Sequence, residues 1–137
     1  MLRLFCAALA LAGLLVVTPA SAGPTDPLFV NLISDDAHRV TMALTFGQAQ
    51  AERGHPLTVF LNDKAVRVIA KPHAAKYGQQ QKLLADLIAK GAQIIVCPMC
   101  MKHYGIKEAD LLAGAKVGNP ELTGGALFKD GTQTLTW

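Results

Sequence analysis

The segment from Ala92 to Gly105, A-Q-I-I-V-C-P-M-C-M-K-H-Y-G, constrains this chain more than any other. Its near-continuous run of apolar residues through Ile94, Ile95 and Val96 lacks the alternation of a half-exposed strand and reads as a strand buried on both faces. The run ends in a C-P-x-C motif that reads as a helix start. Cys97 takes the N-cap, and Pro98 takes the first helical position, where a missing N–H costs nothing. A reactive group is thereby presented at the C-terminal end of a strand, the edge at which open α/β sheets bind ligands. The partial positive charge of a helix N-terminus favours a thiolate over a thiol there, so Cys97 is the primary candidate nucleophile. Cys100 lies one turn further on, within reach of Cys97.

The flanking sequence supplies the layers around that strand. Leu28 to Ile33 reads as a first strand, and Ser34-Asp35-Asp36 offers N-caps for a helix from Ala37 to Arg53, whose apolar stripe is Val40, Ala43, Leu44, Gly47 and Ala51. Leu57 to Leu61 is a second buried strand. Strand, helix, strand is a βαβ unit, and its right-handed crossover implies a parallel sheet. Asn62-Asp63 opens an irregular stretch to Lys71-Pro72-His73, then a polar loop to about Gln79. A helix with the apolar face Leu83, Leu84, Leu87 and Ile88 follows and ends at Lys90-Gly91. Beyond the cysteines come a short segment from Lys107 to Leu112, a short strand near Lys116-Val117, and a helix start at Asn119-Pro120-Glu121. Thr132 to Trp137 reads as an edge strand. The expected fold class is a three-layer α/β/α domain with a mainly parallel sheet of about five strands.

The N-terminus carries a different signal. Arg3, an apolar run from Leu4 to Val17 and the small residues Ala20-Ser21-Ala22 form the pattern of a secretory signal peptide over residues 1–22, cleaved after Ala22. The run falls short of the roughly 20 residues that a membrane span needs. The expectation is therefore a soluble periplasmic or secreted chain of residues 23–137, a single domain with no membrane segment after cleavage. Only Arg3 of the 13 Lys and Arg residues belongs to the leader, and 10 Asp and Glu balance the rest, so the mature chain is near neutral. Its basic residues are scattered and its aromatics few, which leaves no phosphate-tracking or base-stacking surface for nucleic acid. Cys6 leaves with the leader. The remaining pair, Cys97 and Cys100, closes too short a loop to staple a fold, so its spacing suits redox or ligand chemistry.

The order I-I-V-C97-P-M-C100-M-K-H-Y-G105-I106, after a strand, a helix and a second strand ending in L-N-D, resembles the DsrE/DsrF-like family, which includes the sulfur-relay subunits of DsrEFH and TusBCD. The resemblance extends from Leu28 to Trp137. It implies the compact three-layer fold, association into homo-oligomers (trimers or hexamers), and at Cys97 the cysteine that accepts sulfur as a persulfide. Cys100 is an addition to the relay subunits' pattern. On this reading the protein is a sulfurtransferase or sulfur carrier. Cys97 takes sulfane sulfur, Cys100 resolves it, and His103, one helical turn from Cys100, is a candidate general acid. Its partners would be a sulfur donor or acceptor protein or a small persulfide, and no cofactor or resident metal is required. Two other chemistries use the same residues. One is thiol–disulfide exchange by the cysteine pair. The other is Cu(I) binding by the soft donors Cys97, Met99, Cys100, Met101 and His103.

Overall fold

The structure, a computed structural model, describes residues 23–137, so the leader expected over residues 1–22 lies outside the described residues. The elements in chain order are β1 (Leu28–Leu32), α1 (Ala37–Glu52), β2 (Leu57–Leu61), α2 (Ala74–Ala89), β3 (Gln93–Val96), α3 (Pro98–His103), β4 (Lys116–Val117), α4 (Pro120–Leu127) and β5 (Gln133–Thr136). Short 3-10 turns fall at Asp63–Arg67, Lys71–His73 and Glu108–Asp110. The helix starts follow local chemistry. The Asp36 carboxylate accepts the Arg39 N–H at 2.9 Å to cap α1, and the Asn119 side chain accepts the Leu122 N–H at 2.7 Å to cap α4 with Pro120 at its first position.

The sheet has five strands in the order β4-β3-β2-β1-β5, and every pairing is parallel. The chain steps in one direction from β1 to β4 and then returns to place β5 beyond β1. With right-handed crossovers, the outward steps carry α1 and α2 to one face and the return step carries α4 to the other. Strand alternation assigns the faces. Leu28, Val30, Leu32, Leu57, Val59, Leu61, Ile94 and Val96 are all buried and form one cluster with Val40, Ala43 and Leu44 of α1 and Leu84 and Leu87 of α2. The opposite face carries Phe29, Asn31, Phe60 and Asn62, which line a cavity with Thr123 and Leu127 of α4. The main core therefore lies under α1 and α2. This is the three-layer parallel α/β domain expected from the sequence, with β5 at an edge as its threonines suggested.

One expectation fails. The sequence predicts a polar loop as far as Gln79, whereas α2 already begins at Ala74. Within its polar first turns Tyr77, Gln80 and Gln81 are buried with their side chains hydrogen-bonded, which a count of apolar positions cannot register. The Gln80 amide donates to the Ala37 carbonyl (3.2 Å) and to Thr41 Oγ1 (2.9 Å), and the Gln81 amide donates to the Ala70 carbonyl (2.9 Å). Tyr77, only 1% exposed, departs from helical geometry (φ −118°, ψ 18°) and donates its hydroxyl to Asp35 Oδ2 at 2.9 Å. Arg67 Nη1 (3.4 Å) and Lys76 Nζ (3.9 Å) complete the surroundings of that carboxylate. His73, Lys76 and Tyr77 are thus grouped around the end of β1, with the His73 ring stacked on Tyr77.

Burial pushes the Asp35 carboxyl upward, but the Tyr77 hydroxyl and the two cations together hold it below the usual carboxylate range. A folded-state value below the unfolded one means that the stabilisation is fully present above the unfolded pKa and is lost as pH falls through the folded one. Urea unfolding measured between about pH 5 and pH 2 should therefore show the parent losing stability more steeply than Asp35→Asn; parallel curves would contradict the assignment. Replacing Leu61, fully buried on a central strand, by Ala is expected to cost about 3 kcal/mol in the same assay, against under about 1 kcal/mol for Leu135→Ala on the exposed edge strand.

Candidate functional site

Cys97 is the first residue past β3. Its N–H donates to the Leu61 carbonyl at 2.9 Å, and the Gly118 N–H donates to the Val96 carbonyl at 2.8 Å on the other side, so the ladder pins the chain on both flanks where the cysteine begins. Cys97 keeps an extended backbone (φ −66°, ψ 115°), and Pro98 starts α3. The turn brings Cys100 back over Cys97. The Cys100 N–H donates to Cys97 Sγ at 3.4 Å, and the Cys100 thiol donates to the same sulfur at 2.8 Å. Both cysteines are free thiols of intermediate exposure. The two sulfurs are therefore in direct contact, with the Cys100 N–H also directed at Cys97 Sγ. Because α3 has only six residues, a long helix's macrodipole does not apply, and the first-turn N–H groups supply the local positive potential.

Cys100 also sits in a web of its own. Burial pushes its thiol upward in pKa, the bond to Cys97 pushes in the same direction, and a hydrogen bond from the Asp63 N–H, at 3.1 Å from Sγ, opposes them. Asp63 follows β2, and its carboxylate accepts the Tyr104 hydroxyl at 2.7 Å. The Arg67 guanidinium lies 4.3 Å above the centre of the Tyr104 ring. The hydrogen bond to Asp63, then burial, holds the Tyr104 phenol above its ordinary pKa, so it remains a donor at neutral pH.

The structure brings Cys97 and Cys100 together and leaves His103 apart. His103 is exposed, its ring edge-on against Tyr104 with 4.6 Å between centroids, and neither sulfur bonds to it. The methionines diverge as well. Met101 is 5% exposed and packed in the core, whereas Met99 is 79% exposed. Among the described residues no group of three or more His, Cys, Asp and Glu is arranged to hold a metal. Sequence reasoning gave Asp63 no role at the site, taking it as the start of an irregular stretch and as part of the L-N-D that ends the second strand. Its one legible signal was the Asn-Asp pair directly after a strand, since Asn and Asp tolerate the left-handed turn that Asp63 adopts (φ 45°). The site also lies two strands away from the β1/β5 boundary where strand order reverses, which is the usual crevice of an open α/β sheet. Cys97 does lie at the C-terminal edge of the parallel strands, as expected, but between β2 and β4.

The DsrE/DsrF-like family model matches residues 28–133. The chain is 34% identical over 80 residues to the uncharacterized protein MJ0989 of Methanocaldococcus jannaschii, an alignment covering 58% of this chain and 70% of that protein. Its fold is similar to that of the ychN protein from E. coli, with a TM-score of 0.68 and 23% identity over 82% of this chain and 99% of that one. The protein of unknown function MTH1491 from Methanobacterium thermoautotrophicum superposes with the same TM-score of 0.68 at 16% identity, again over 82% of this chain and 99% of the other. BT1422 from Bacteroides thetaiotaomicron gives 0.64 at 20% identity, over 82% and 95%. The solved structures speak for the fold, and the matched model spans β1 to β4, the cysteine turn and α4: the chain belongs to the DsrE/DsrF-like family.

Proposed function

We propose that this protein is an exported sulfur-trafficking member of its family that carries sulfane sulfur on Cys97 and releases it through Cys100. The observation that carries the reading is the 2.8 Å contact in which the Cys100 thiol donates to Cys97 Sγ at the sheet edge, together with family membership. In the loading step the Cys97 thiolate attacks the outer sulfur of a donor persulfide. A bond forms between Cys97 Sγ and that sulfur, the donor's S–S bond breaks, and the donor leaves as a thiolate that takes up a proton. The product is a Cys97 persulfide. An acceptor thiol can remove the outer sulfur by the same exchange. Alternatively, Cys100 as thiolate attacks Cys97 Sγ, a Cys97–Cys100 disulfide forms, and hydrosulfide departs with the electron pair. In that branch the sulfane sulfur is reduced, the two cysteines are oxidised, and a dithiol reductant restores them.

The same contact supports a second reading, in which the pair exchanges disulfides without carrying sulfur. Cu(I) binding by the whole C-P-M-C-M-x-H segment has less support, because Met101 packs in the core and His103 lies apart. We place the mature chain, residues 23–137, in the periplasm or outside the cell on the strength of the leader pattern, and we expect a homo-oligomer.

After exposure to a small persulfide, mass spectrometry should find an added sulfur in the parent and in Cys100→Ser, where it should persist longer, and none in Cys97→Ser. Equal, slow reaction of both variants without an adduct would leave only a passive pair. The intact mass of the protein purified from its native host is expected to correspond to a chain starting at Gly23, and soluble protein retaining residues 1–22 would contradict export. Light scattering at micromolar concentration should give more than one copy; a clean monomer would remove the oligomer.

A further inference from the structure

Asp63 is the one residue other than glycine with a positive φ among the described residues (45°). For a side chain with a Cβ, that backbone region costs on the order of 1 kcal/mol and persists only where neighbours over-determine it. The neighbours here are Cys100 of α3 and Tyr104, the residue that caps the end of that helix. Cys100 Sγ accepts the Asp63 N–H at 3.1 Å, and the Tyr104 hydroxyl donates to Asp63 Oδ1 at 2.7 Å. Tyr104 is held in turn by Arg67 over its ring, and Arg67 by Asp35.

We propose that Asp63 and Tyr104 are positioning residues for Cys100: the Asp63 N–H stabilises negative charge on its sulfur, and the Tyr104 hydroxyl holds that amide in place by gripping the carboxylate. The purpose rests on the sulfur-release reading, in which Cys100 must attack as a thiolate. The donor offsets part of the burial that otherwise keeps Cys100 protonated. The titratable groups facing Cys100 are Cys97 on its own turn and Asp63 across from it, with Tyr104 and Arg67 behind Asp63. The Asp63 carboxylate itself disfavours the anion, so its charge and its amide act in opposite directions. A test must separate them.

The separation comes from comparing variants in a Cys97→Ser background, where iodoacetamide reports Cys100 alone and no sulfur donor is needed. Tyr104→Phe keeps the carboxylate and removes the lock. Asp63→Asn and Asp63→Ala both remove the charge, but only Asn keeps an acceptor for Tyr104 and tolerates the left-handed turn. The alkylation midpoint of Tyr104→Phe should lie above that of its parent, and that of Asp63→Ala above that of Asp63→Asn, each by about half a pH unit, a roughly threefold slower reaction below the midpoint. Within the parent, the Asp63 amide ¹H–¹⁵N resonance should titrate with the same midpoint as Cys100 alkylation, a readout that needs no variant at position 63 or 104. Coincident midpoints within both pairs, or an Asp63 amide that does not follow Cys100, would overturn the proposal. A chain that passes this test yet takes up no sulfur from a persulfide would sink the sulfur-transfer reading instead.

Discussion

The cysteine site depends first on one ladder bond, from the Cys97 N–H to the Leu61 carbonyl. It continues the β2–β3 pairing one residue past the last strand position, so Cys97 takes its place from the stiffest part of the molecule. Leu61 and Val96, the paired residues just before it, are fully buried. Ile94 and Val96 pack under α1 and α2 while Ile95 is buried on the opposite face, so β3 is held from both sides. A small turn of six helical residues is therefore enough to set two sulfurs in contact, because the end that carries Cys97 is not free to drift.

What the core fixes at β3, side-chain chemistry extends sideways. The loops after β1, β2 and β3 all leave the sheet at the same edge, and they are tied together in sequence: Asp35 to Arg67, Arg67 over Tyr104, Tyr104 to Asp63, and the Asp63 N–H to Cys100. Surface ion pairs such as Arg67–Asp35 contribute little each to stability. Their role here is orientation. The opposing influences on Cys100 illustrate this, since burial alone would leave it a poor nucleophile while one aimed amide restores part of the anion's stability.

The fold was legible in the sequence where apolar patterning governs it. The strands Leu28–Leu32, Leu57–Leu61 and Gln93–Val96, the α1 stripe and the Asn119-Pro120 helix start all follow from periodicity and capping rules. The start of α2 was not legible, because Tyr77, Gln80 and Gln81 are buried by hydrogen bonds to partners far away in the chain. Strand order was left open and is set by the return of β5 to β1. At the site, the C-P-x-C spacing gave both cysteines and the N-cap role of Cys97. His103 was drawn in by helical spacing alone, yet its ring turns to Tyr104 at the surface. Asp63 was missed because its contribution is a backbone N–H, and sequence patterns carry side-chain types, not the direction of an amide.

The central claim is that Cys97 holds sulfane sulfur and Cys100 expels it, so the most direct measurement follows both products of one turnover. The protein is loaded from a small persulfide, freed of excess donor and left without reductant, while released sulfide and the Cys97–Cys100 disulfide are quantified together. The account predicts that they appear at the same rate and in equal amounts. Disulfide formation without sulfide would contradict it and leave a thiol–disulfide carrier. Sulfide release without the disulfide would remove Cys100 from the chemistry.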